Sequence, residues 1–363
     1  MTQKTTAQFT ISLTRYLDSE GRALGPLPEF ATDITVVHNL YRWMTLTRTF
    51  DLKAINLQRT GKMGTYAASL GQEAVSVAIG HEMARDDVLV PAYREYGAQF
   101  QRGVTMTEIL RFWGGMETGN CYENCPQDFP IAVPIGTQPL HAAGVAAAMK
   151  YRKQKRASVS VCGDGATSQG DFYEAMNVAG AWHLPVVFVI TNNQWAISLS
   201  RKSQSSAETL AQKGIAAGIP SFQVDGNDII AMCDVMQKAL NRARSGKGPT
   251  VIEAITYRLH DHTTADDAAR YRPLAEVEQA WQAEPIKRLR LYMENLGIWD
   301  CVKEASLVAE CQAEVDIAVN AYFASEAEPV TAMFDYQFAE LPHHLVPQRE
   351  MAIAFAETVS VKH

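Results

Sequence analysis

The sequence lacks the features that mark disulfide-rich, membrane-spanning and nucleic-acid-binding proteins. Its six cysteines contain no C-x-x-C pair, so reduced thiols are expected. The longest apolar stretches, such as 142–149 and 186–190, are far shorter than the ~18 residues of a membrane-spanning helix. At a net charge of −7 there is no long run of one sign, and residues 1–10 lack the apolar core of a secretion signal. These absences predict a protein of the cytoplasm or of an organelle matrix that acts on small ligands or proteins, and neither on nucleic acid nor at a membrane.

Three common binding motifs are also missing. Cys121 and Cys125 could form half of a zinc site, but their three-residue gap has no matching second half. Gly163, Gly165 and Gly170 do not complete G-x-G-x-x-G, and no G-x-x-x-x-G-K-[ST] occurs. Structural zinc, nicotinamide binding and P-loop nucleotide binding are therefore disfavoured.

The sequence does contain an α/β pattern within an ordinary globular composition, 47% hydrophobic and 20% charged. A strand is predicted from Ala157, followed by a Gly-Asp-Gly turn, a helix over 171–183 with one apolar face, and the apolar strand 186–190. A second unit repeats this order with a strand at 221–224, a helix near 228–244 and a strand over 250–257. The fold class predicted is a doubly wound, mostly parallel α/β sheet with helices on both faces.

The two ends of the chain have a different pattern. Residues 13–30 mix glycine, proline and charge without a period, which is typical of an arm or linker. Beyond Leu274 the pattern becomes helical and charged, with Trp281, Ile286, Leu289 and Tyr292 on one stripe. We expect an N-terminal arm over 1–35, a ligand-binding α/β domain over 36–285, and a helical packing or assembly region over 286–363.

Polar residues follow two neighbouring strands of the predicted sheet. Asp164 lies between two glycines, where it would repel a bare phosphate unless a cation intervenes. Asn192 and Asn193 end the next strand, and their side-chain oxygens are hard ligands like the carboxylate. Gly-Asp-Gly alone is a common turn and Asn-Asn alone a common loop, so each is weak by itself. Together they predict a magnesium ion that bridges the protein to a phosphate group.

The order and spacing of these two motifs resemble a known cofactor site. GDG at 163–165, 26 intervening residues, and NN at 192–193 resemble the thiamine diphosphate motif. The surrounding sequence resembles the alpha subunits of pyruvate and branched-chain 2-oxo acid dehydrogenases, bacterial ones most closely. This likeness covers roughly residues 51–300, through GQEA at 71–74, PAYREYG at 91–97, PIGTQ at 134–138, AAGIPSFQVDGND at 216–228 and YRLHDHTT at 257–264.

The resemblance implies how the metal and the diphosphate are held. Asp164 and Asn193 match the side-chain magnesium ligands, and the backbone carbonyl of Trp195 matches the third. Gly165 and Ala166 match positions whose backbone groups meet the diphosphate. Five neighbouring residues would thus bind the charged end of the cofactor.

The resemblance also assigns residues around the rest of the cofactor. Tyr93 and Arg94 match a pair that reaches the diphosphate, although without the motif they would be a core residue and a surface ion pair. Ile135 matches the backbone position that meets the aminopyrimidine ring. His262 matches the active-site histidine, expected to orient or protonate the 2-oxo acid, while His260 is interpreted as structural.

The function implied by the resemblance is oxidative decarboxylation of a 2-oxo acid, with pyruvate as the expected substrate. The acyl group would pass to the lipoyl group of an acyltransferase, which a flavoprotein reoxidises. Because the chain matches only the diphosphate-binding half, a beta subunit would complete the site in an α2β2 heterotetramer. The alternatives are branched-chain 2-oxo acids or acetoin as substrate, or a non-catalytic scaffold, against which intact Asp164, Asn193 and His262 argue.

Two segments leave details open. Relatives often place histidine between Gly114 and Phe129, where this chain has none. Substrate contacts in that segment are therefore not assigned. Thr263 and Thr264 occupy a loop that is phosphorylated in some relatives, and the sequence gives no sign of a kinase.

Overall fold

The computed structural model describes residues 3–360. Positions 1–2 and 361–363, at the ends of the predicted arm and C-terminal region, lie outside the described residues. The chain divides into two compact units, one up to Asn320 and one from Ala321. The boundaries expected near 35 and 285 stay predictions.

Six strands of the described residues form one parallel sheet, and two short strands form an antiparallel pair. The strands are β1 (Leu13–Thr14), β2 (Val88–Val90), β3 (Ser158–Gly163), β4 (Val186–Asn192), β5 (Trp195–Ala196), β6 (Leu199–Ser200), β7 (Ser221–Asp225) and β8 (Thr250–Ile255). The order in the large sheet is β1-β7-β8-β4-β3-β2, with every pair parallel, while β5 pairs with β6. The predicted core strands are confirmed, and β2 is a strand that the sequence did not reveal.

Within the unit up to Asn320, helices cover both faces of this sheet, and the unit from Ala321 is helical as well. The helices are α1 (Ile34–Arg59), α2 (Glu73–Glu82), α3 (Tyr96–Arg102), α4 (Met106–Trp113), α5 (Thr137–Tyr151), α6 (Gly170–Trp182), α7 (Arg201–Gln204), α8 (Ile229–Arg244), α9 (Leu274–Gln282), α10 (Pro285–Asn295), α11 (Cys301–Phe323), α12 (Ala332–Asp335) and α13 (Val346–Ser360). Short 3-10 turns lie at 29–32, 117–120, 164–168, 211–217 and 268–270.

The central strand β4 shows why both faces must be covered. Val186, Phe188 and Ile190 pack in one core cluster with residues of α5 and α6. Val187 and Val189 point to the opposite face because side chains alternate along a strand, and they are also fully buried. The doubly wound α/β fold is confirmed.

The N-terminal arm joins the sheet. Leu13 pairs with Gln223, so β1 extends the sheet beyond β7. The buried Asp228 caps α8 and also accepts hydrogen bonds from the backbone N–H groups of Tyr16 and Leu17, both at 2.7 Å. One carboxylate therefore anchors the arm to the start of a core helix.

The helical stripe predicted beyond Leu274 is divided between two helices. Glu284 accepts from the backbone N–H of Ile286 at 3.1 Å, and Pro285 occupies the first turn of α10. The chain therefore restarts at Glu284 instead of continuing from α9. In the unit from Ala321, Arg349 and Asp335 form an ion pair at 2.8 Å.

Candidate active site

The predicted ligands emerge at one edge of the sheet. Strand β4 lies between β3 and β8, and in this register Gly163 pairs with Thr191 and Asn192 with Ile255. Because the three strands are parallel, the residues that follow each of them share the carboxyl edge. Asp164, Asn193 and the loop after β8 are brought together in this way.

Asp164 is buried at this edge, and its Oδ2 has no hydrogen-bond partner among the described residues. Burial raises the pKa of this carboxyl to about 6, while backbone N–H groups and the charges of Arg258 and Arg201 partly oppose the shift. The neighbouring Gly165 has to be small, because a Cβ there would lie 2.9 Å from the Cβ of Ala196. A buried oxygen without a partner indicates a missing cation or donor.

Asn193 is held from both ends of its amide. Its Nδ2 donates to Oε1 of Gln72 at 3.1 Å, and its Oδ1 accepts from the backbone N–H of Trp195 at 3.2 Å. The carbonyl of Trp195 accepts from Arg258 at 3.2 Å. Asn193 and Trp195, both predicted as metal ligands, thus lie in contact. Gln72 and Arg258, which contact them, were not predicted as site residues.

Asn192 has a different role from its neighbour. Its Nδ2 donates to the buried Glu253 at 2.7 Å, and its Oδ1 accepts from the backbone and side chain of Gln194. Gln194 has a φ of +74°, a left-handed conformation that such a local hydrogen bond helps to hold. The first asparagine therefore shapes the turn that presents the second.

Arg94 joins its own loop to the histidine loop. Its guanidinium donates to the carbonyls of Ala68 and His262, the latter at 2.6 Å, and lies 3.2 Å from Nδ1 of His262. The ring of Tyr93 stands edge-on to the His262 ring at 6.4 Å. The predicted site residues Tyr93, Arg94 and His262 therefore lie together, although Arg94 and His262 are 168 positions apart in the chain.

A second guanidinium, that of Arg258, reaches the same histidine. It is fully buried, and it donates to the carbonyl of Ile197 at 2.9 Å and the hydroxyl of Tyr271 at 2.8 Å. Its NH1 lies 3.3 Å from Nδ1 of His262, and Tyr271 in turn donates to Asp266. The sequence offered two signals for Arg258: its place three residues after the end of β8, and its position within the YRLHDHTT segment that carries the family resemblance.

Neither buried arginine is paired with a carboxylate in the part of the chain that the structure describes. Arg94 and Arg258 bind carbonyls, a hydroxyl and an imidazole. By contrast, the buried Arg102 forms an ion pair with Asp128. Burying a cation without a counter-ion is costly, so this pair of arginines favours an anionic ligand.

His262 is neutral in this setting. Burial first, and then the charges of Arg94 and Arg258, lower its pKa to about 4. Both guanidinium groups can only donate, so Nδ1 has to accept and the ring proton resides on Nε2. The geometry therefore leaves Nε2–H as a donor.

Other predicted residues lie at the margin. Ile135 is 44% exposed, and the adjoining Gly136 abuts the side chain of Gln169, just after the 3-10 turn of Asp164. Ala166 is buried in that turn. The carbonyl of His260 accepts from Arg272 at 3.1 Å. The roles assigned to all these residues stay predictions.

The segment without histidines is held by other polar groups. Gln99 donates to the hydroxyl of the buried Tyr122 at 2.9 Å, and this hydroxyl donates to Asn120. Asn120 in turn accepts from the backbone N–H of Ile131 at 3.2 Å. These bonds connect the segment to the loop that leads to Ile135.

Across residues 3–360, no three or more His, Cys, Asp or Glu side chains cluster to hold a metal. The structure joins none of the six cysteines in a disulfide. Within the same residues, no helix combines the length and apolarity that crossing a membrane requires.

Comparison with known proteins identifies the family. The family model described as Dehydrogenase E1 component matches residues 41–331. The chain is 37% identical to the pyruvate dehydrogenase E1 component subunit alpha of Mycoplasma genitalium, over 94% of this chain and 95% of the relative. It is 37% identical to the protein of that name from Staphylococcus aureus, over 95% and 93%. It is also 40% identical to the 3-methyl-2-oxobutanoate dehydrogenase subunit alpha of Mycobacterium tuberculosis, over 86% and 85%.

The resemblance seen in the sequence motifs is therefore confirmed over most of the chain. The matched region begins within α1 and ends after α11, so it includes all the strand ends that form the site. On this coverage and identity, the chain belongs to the dehydrogenase E1 component family.

Proposed function

We propose that this chain is the alpha subunit of a cytoplasmic pyruvate dehydrogenase, which oxidatively decarboxylates pyruvate with thiamine diphosphate and magnesium. The proposal rests on one observation of the described residues: at one edge of the sheet, two buried cations lack an anion and a buried carboxylate oxygen lacks a donor or cation. Among residues 3–360, Arg94 and Arg258 are buried cations without a carboxylate partner, and Asp164 Oδ2 is a buried anionic oxygen without a donor. A diphosphate bridged by a divalent cation satisfies both requirements at once.

The residues present fit a magnesium ion. Asp164 supplies one carboxylate, and Asn193 and the carbonyl of Trp195 supply neutral oxygens, a set that suits a hard cation completed by phosphate oxygens. A site with one carboxylate agrees with the lack of any larger acidic or histidine cluster in residues 3–360. We assign these three residues to the metal.

The diphosphate would lie between the metal and the arginines. We assign Gly165, Ala166, Tyr93 and Arg94 to it, as the resemblance implies. Arg94 holds a fork of donors in the buried loop, and charge-assisted bonds from such a fork are about twice as strong as neutral ones. Binding would exchange some of its carbonyl partners for phosphate oxygens.

When bound, thiamine diphosphate supplies the electron sink that allows a 2-oxo acid to lose carbon dioxide. The chain itself supplies a donor. His262 is neutral, with its Nδ1 held by two guanidinium groups, so its Nε2–H can bind and orient the carbonyl or carboxylate of the substrate. Arg94 and Arg258 then act as positioning residues for the imidazole as well.

The site requires a second subunit. Ile135, assigned to the aminopyrimidine ring, is 44% exposed, and the nearby Val133 is 51% exposed. An exposed apolar edge beside a cofactor site supports a covering partner. We propose a beta subunit in an α2β2 heterotetramer, with the acyl group passed to the lipoyl group of an acyltransferase.

The substrate has a second candidate. The 40% identity to a 3-methyl-2-oxobutanoate dehydrogenase subunit favours a branched-chain 2-oxo acid as the alternative to pyruvate. Assay of the complex reconstituted with its beta subunit on pyruvate, 3-methyl-2-oxobutanoate and acetoin distinguishes these readings. We expect the highest kcat/KM with pyruvate, and absence of turnover on all three would favour a non-catalytic scaffold.

The cofactor assignment has its own experiment. Asp164→Asn keeps the size of the side chain and removes the only anionic ligand of the metal, so we expect magnesium-dependent binding of thiamine diphosphate to be lost while the fold persists. Calorimetric titration and circular dichroism measure the two properties. Unchanged cofactor affinity in this variant contradicts the proposed site.

A further inference from the structure

We propose that Gln72 is a positioning residue that fixes the amide of Asn193 so that its oxygen, and not its nitrogen, faces the metal. This inference rests on the proposed function and deepens it. Gln72 lies 121 positions from Asn193 in the chain, and the two side chains meet at 3.1 Å. No motif in the sequence connects them.

The placement of Gln72 is not explained by helix capping. It is the N-cap residue of α2, yet its side chain makes no capping hydrogen bond. The side chain is only 4% exposed, and its Nε2 has no partner among the described residues. In the described part of the chain the side chain makes one hydrogen bond, which Oε1 accepts from Asn193.

The neighbours of Gln72 make its position rigid. Gly71 has a φ of +89°, and a Cβ there would overlap the carbonyl of Tyr257 and lie 2.8 Å from Leu259. The N–H of Gly71 donates to Glu73 at 3.0 Å, and Glu73 is paired with Arg48. The backbone at Gln72 is thereby pressed against the chain that leaves β8.

The chemistry of the amide makes its orientation decisive. An asparagine side chain presents an acceptor at one end and two donors at the other, and only the oxygen can bind a cation. The N–H of Trp195 requires an acceptor from Asn193, and Oε1 of Gln72 requires a donor. Both partners select the same orientation, which leaves a lone pair of Oδ1 for the metal.

A bound metal makes Gln72 the more important of the two partners. Oδ1 would then be drawn towards the cation, and its bond to the Trp195 N–H would lengthen. The bond from Nδ2 to Gln72 does not compete with the metal. Loss of such an outer partner typically weakens metal affinity by about 10- to 100-fold.

The experiment compares three variants of the full-length chain reconstituted with its beta subunit. Gln72→Met removes the acceptor at nearly constant length, and Gln72→Glu keeps it. Gln99→Met is the matched control, because Gln99 is 1% exposed and, among the described residues, its side chain makes one hydrogen bond, to Tyr122, and has one unpartnered atom. The dissociation constant of Mg²⁺ at saturating thiamine diphosphate is measured by calorimetry, with Tm as a check on folding.

We expect Gln72→Met to weaken Mg²⁺ binding by at least about tenfold. The Mg²⁺ dissociation constant of Gln99→Met should stay within about threefold of the wild-type value. Gln72→Glu should stay within the same range or bind Mg²⁺ more tightly, because it adds a carboxylate. Equal Mg²⁺ affinity for Gln72→Met and the wild type overturns the inference, as does an equal loss in Gln72→Glu. If Gln72→Met does not fold, Gln72→Asn, which is too short to reach Asn193, takes its place with the same expectations. A wild type that binds the cofactor without Mg²⁺ instead contradicts the proposed function itself.

Discussion

Replacing Arg94 with methionine tests whether this arginine binds the cofactor, as we propose, or only supports the fold. Arg94 is buried, no carboxylate of the described part of the chain pairs with it, and its donors reach the carbonyls of Ala68 and His262. Arg102, at the end of α3, is also buried but is paired with Asp128, with one contact at 2.8 Å. The two arginines therefore offer a matched comparison.

The expected magnitudes follow from these partners. A hydrogen bond from a charged group contributes about 1.5–3 kcal/mol, so loss of one bond to the diphosphate weakens cofactor affinity by roughly 10- to 150-fold. Arg94→Met breaks no ion pair among the described residues, so its free energy of unfolding should fall by less than about 2 kcal/mol. Arg102→Met strands Asp128, which should cost about 3–5 kcal/mol.

The assay measures both properties for both variants. Calorimetric titration with thiamine diphosphate at fixed Mg²⁺ gives the affinity, and urea denaturation without cofactor gives the free energy of unfolding. Arg94→Met should change mainly the affinity, and Arg102→Met mainly the stability. If the two variants show the same pattern, the reasoning from unpaired and paired burial is wrong.

Three further outcomes are expected. Asp51 is fully buried and its pKa is raised to about 7, chiefly by burial, so the folded state keeps the proton that the unfolded state loses near pH 4. The free energy of unfolding should therefore fall by up to ~4 kcal/mol as pH rises from about 4 to about 7. In urea denaturation this fall should be smaller for Asp51→Asn, and an equal fall in both proteins would contradict the assignment. His262, whose pKa is lowered to about 4, should stay neutral above pH 5 in the cofactor-free protein. The pH dependence of hydrogen–deuterium exchange at its imidazole C2 measures this pKa. A titration midpoint near 6.5, the ordinary value for histidine, would contradict the prediction. Gly71→Ala should lower the free energy of unfolding by about 3 kcal/mol or more, because the added Cβ would overlap the carbonyl of Tyr257. The control Gly61→Ala, at a φ of +71° in open space, should lower it by about 1 kcal/mol. Similar losses in the two variants would refute the steric reasoning.

The local fold could be predicted because its cause is local. The apolar run at 186–190 is short and rich in β-branched residues, which favours a covered strand, and the helix beginning after Asp228 follows from its capping residue and apolar face. The short strands β1 and β2 were missed, since strands of two and three residues carry too little periodicity. The break at Glu284 was missed because the apolar stripe continues through it.

The candidate site was predictable where residue type and spacing are diagnostic. Asp164 and Asn193 stand at the ends of consecutive strands, and the parallel register brings such ends to one edge whatever the side chains are. The sequence alone thereby determined the fold class and the edge of the sheet at which Asp164 and Asn193 meet, and it predicted this pair as oxygen ligands.

The tertiary structure alone decided which distant groups surround that edge. Gln72 and Arg258 reach Asn193 and Trp195 from the start of one helix and from the loop after the last core strand. Their contacts depend on how the helices and loops close over the sheet, and no local pattern encodes that distance. The protonation of His262 is decided in the same way, because its neutral state results from burial and from two cations that the fold places beside it.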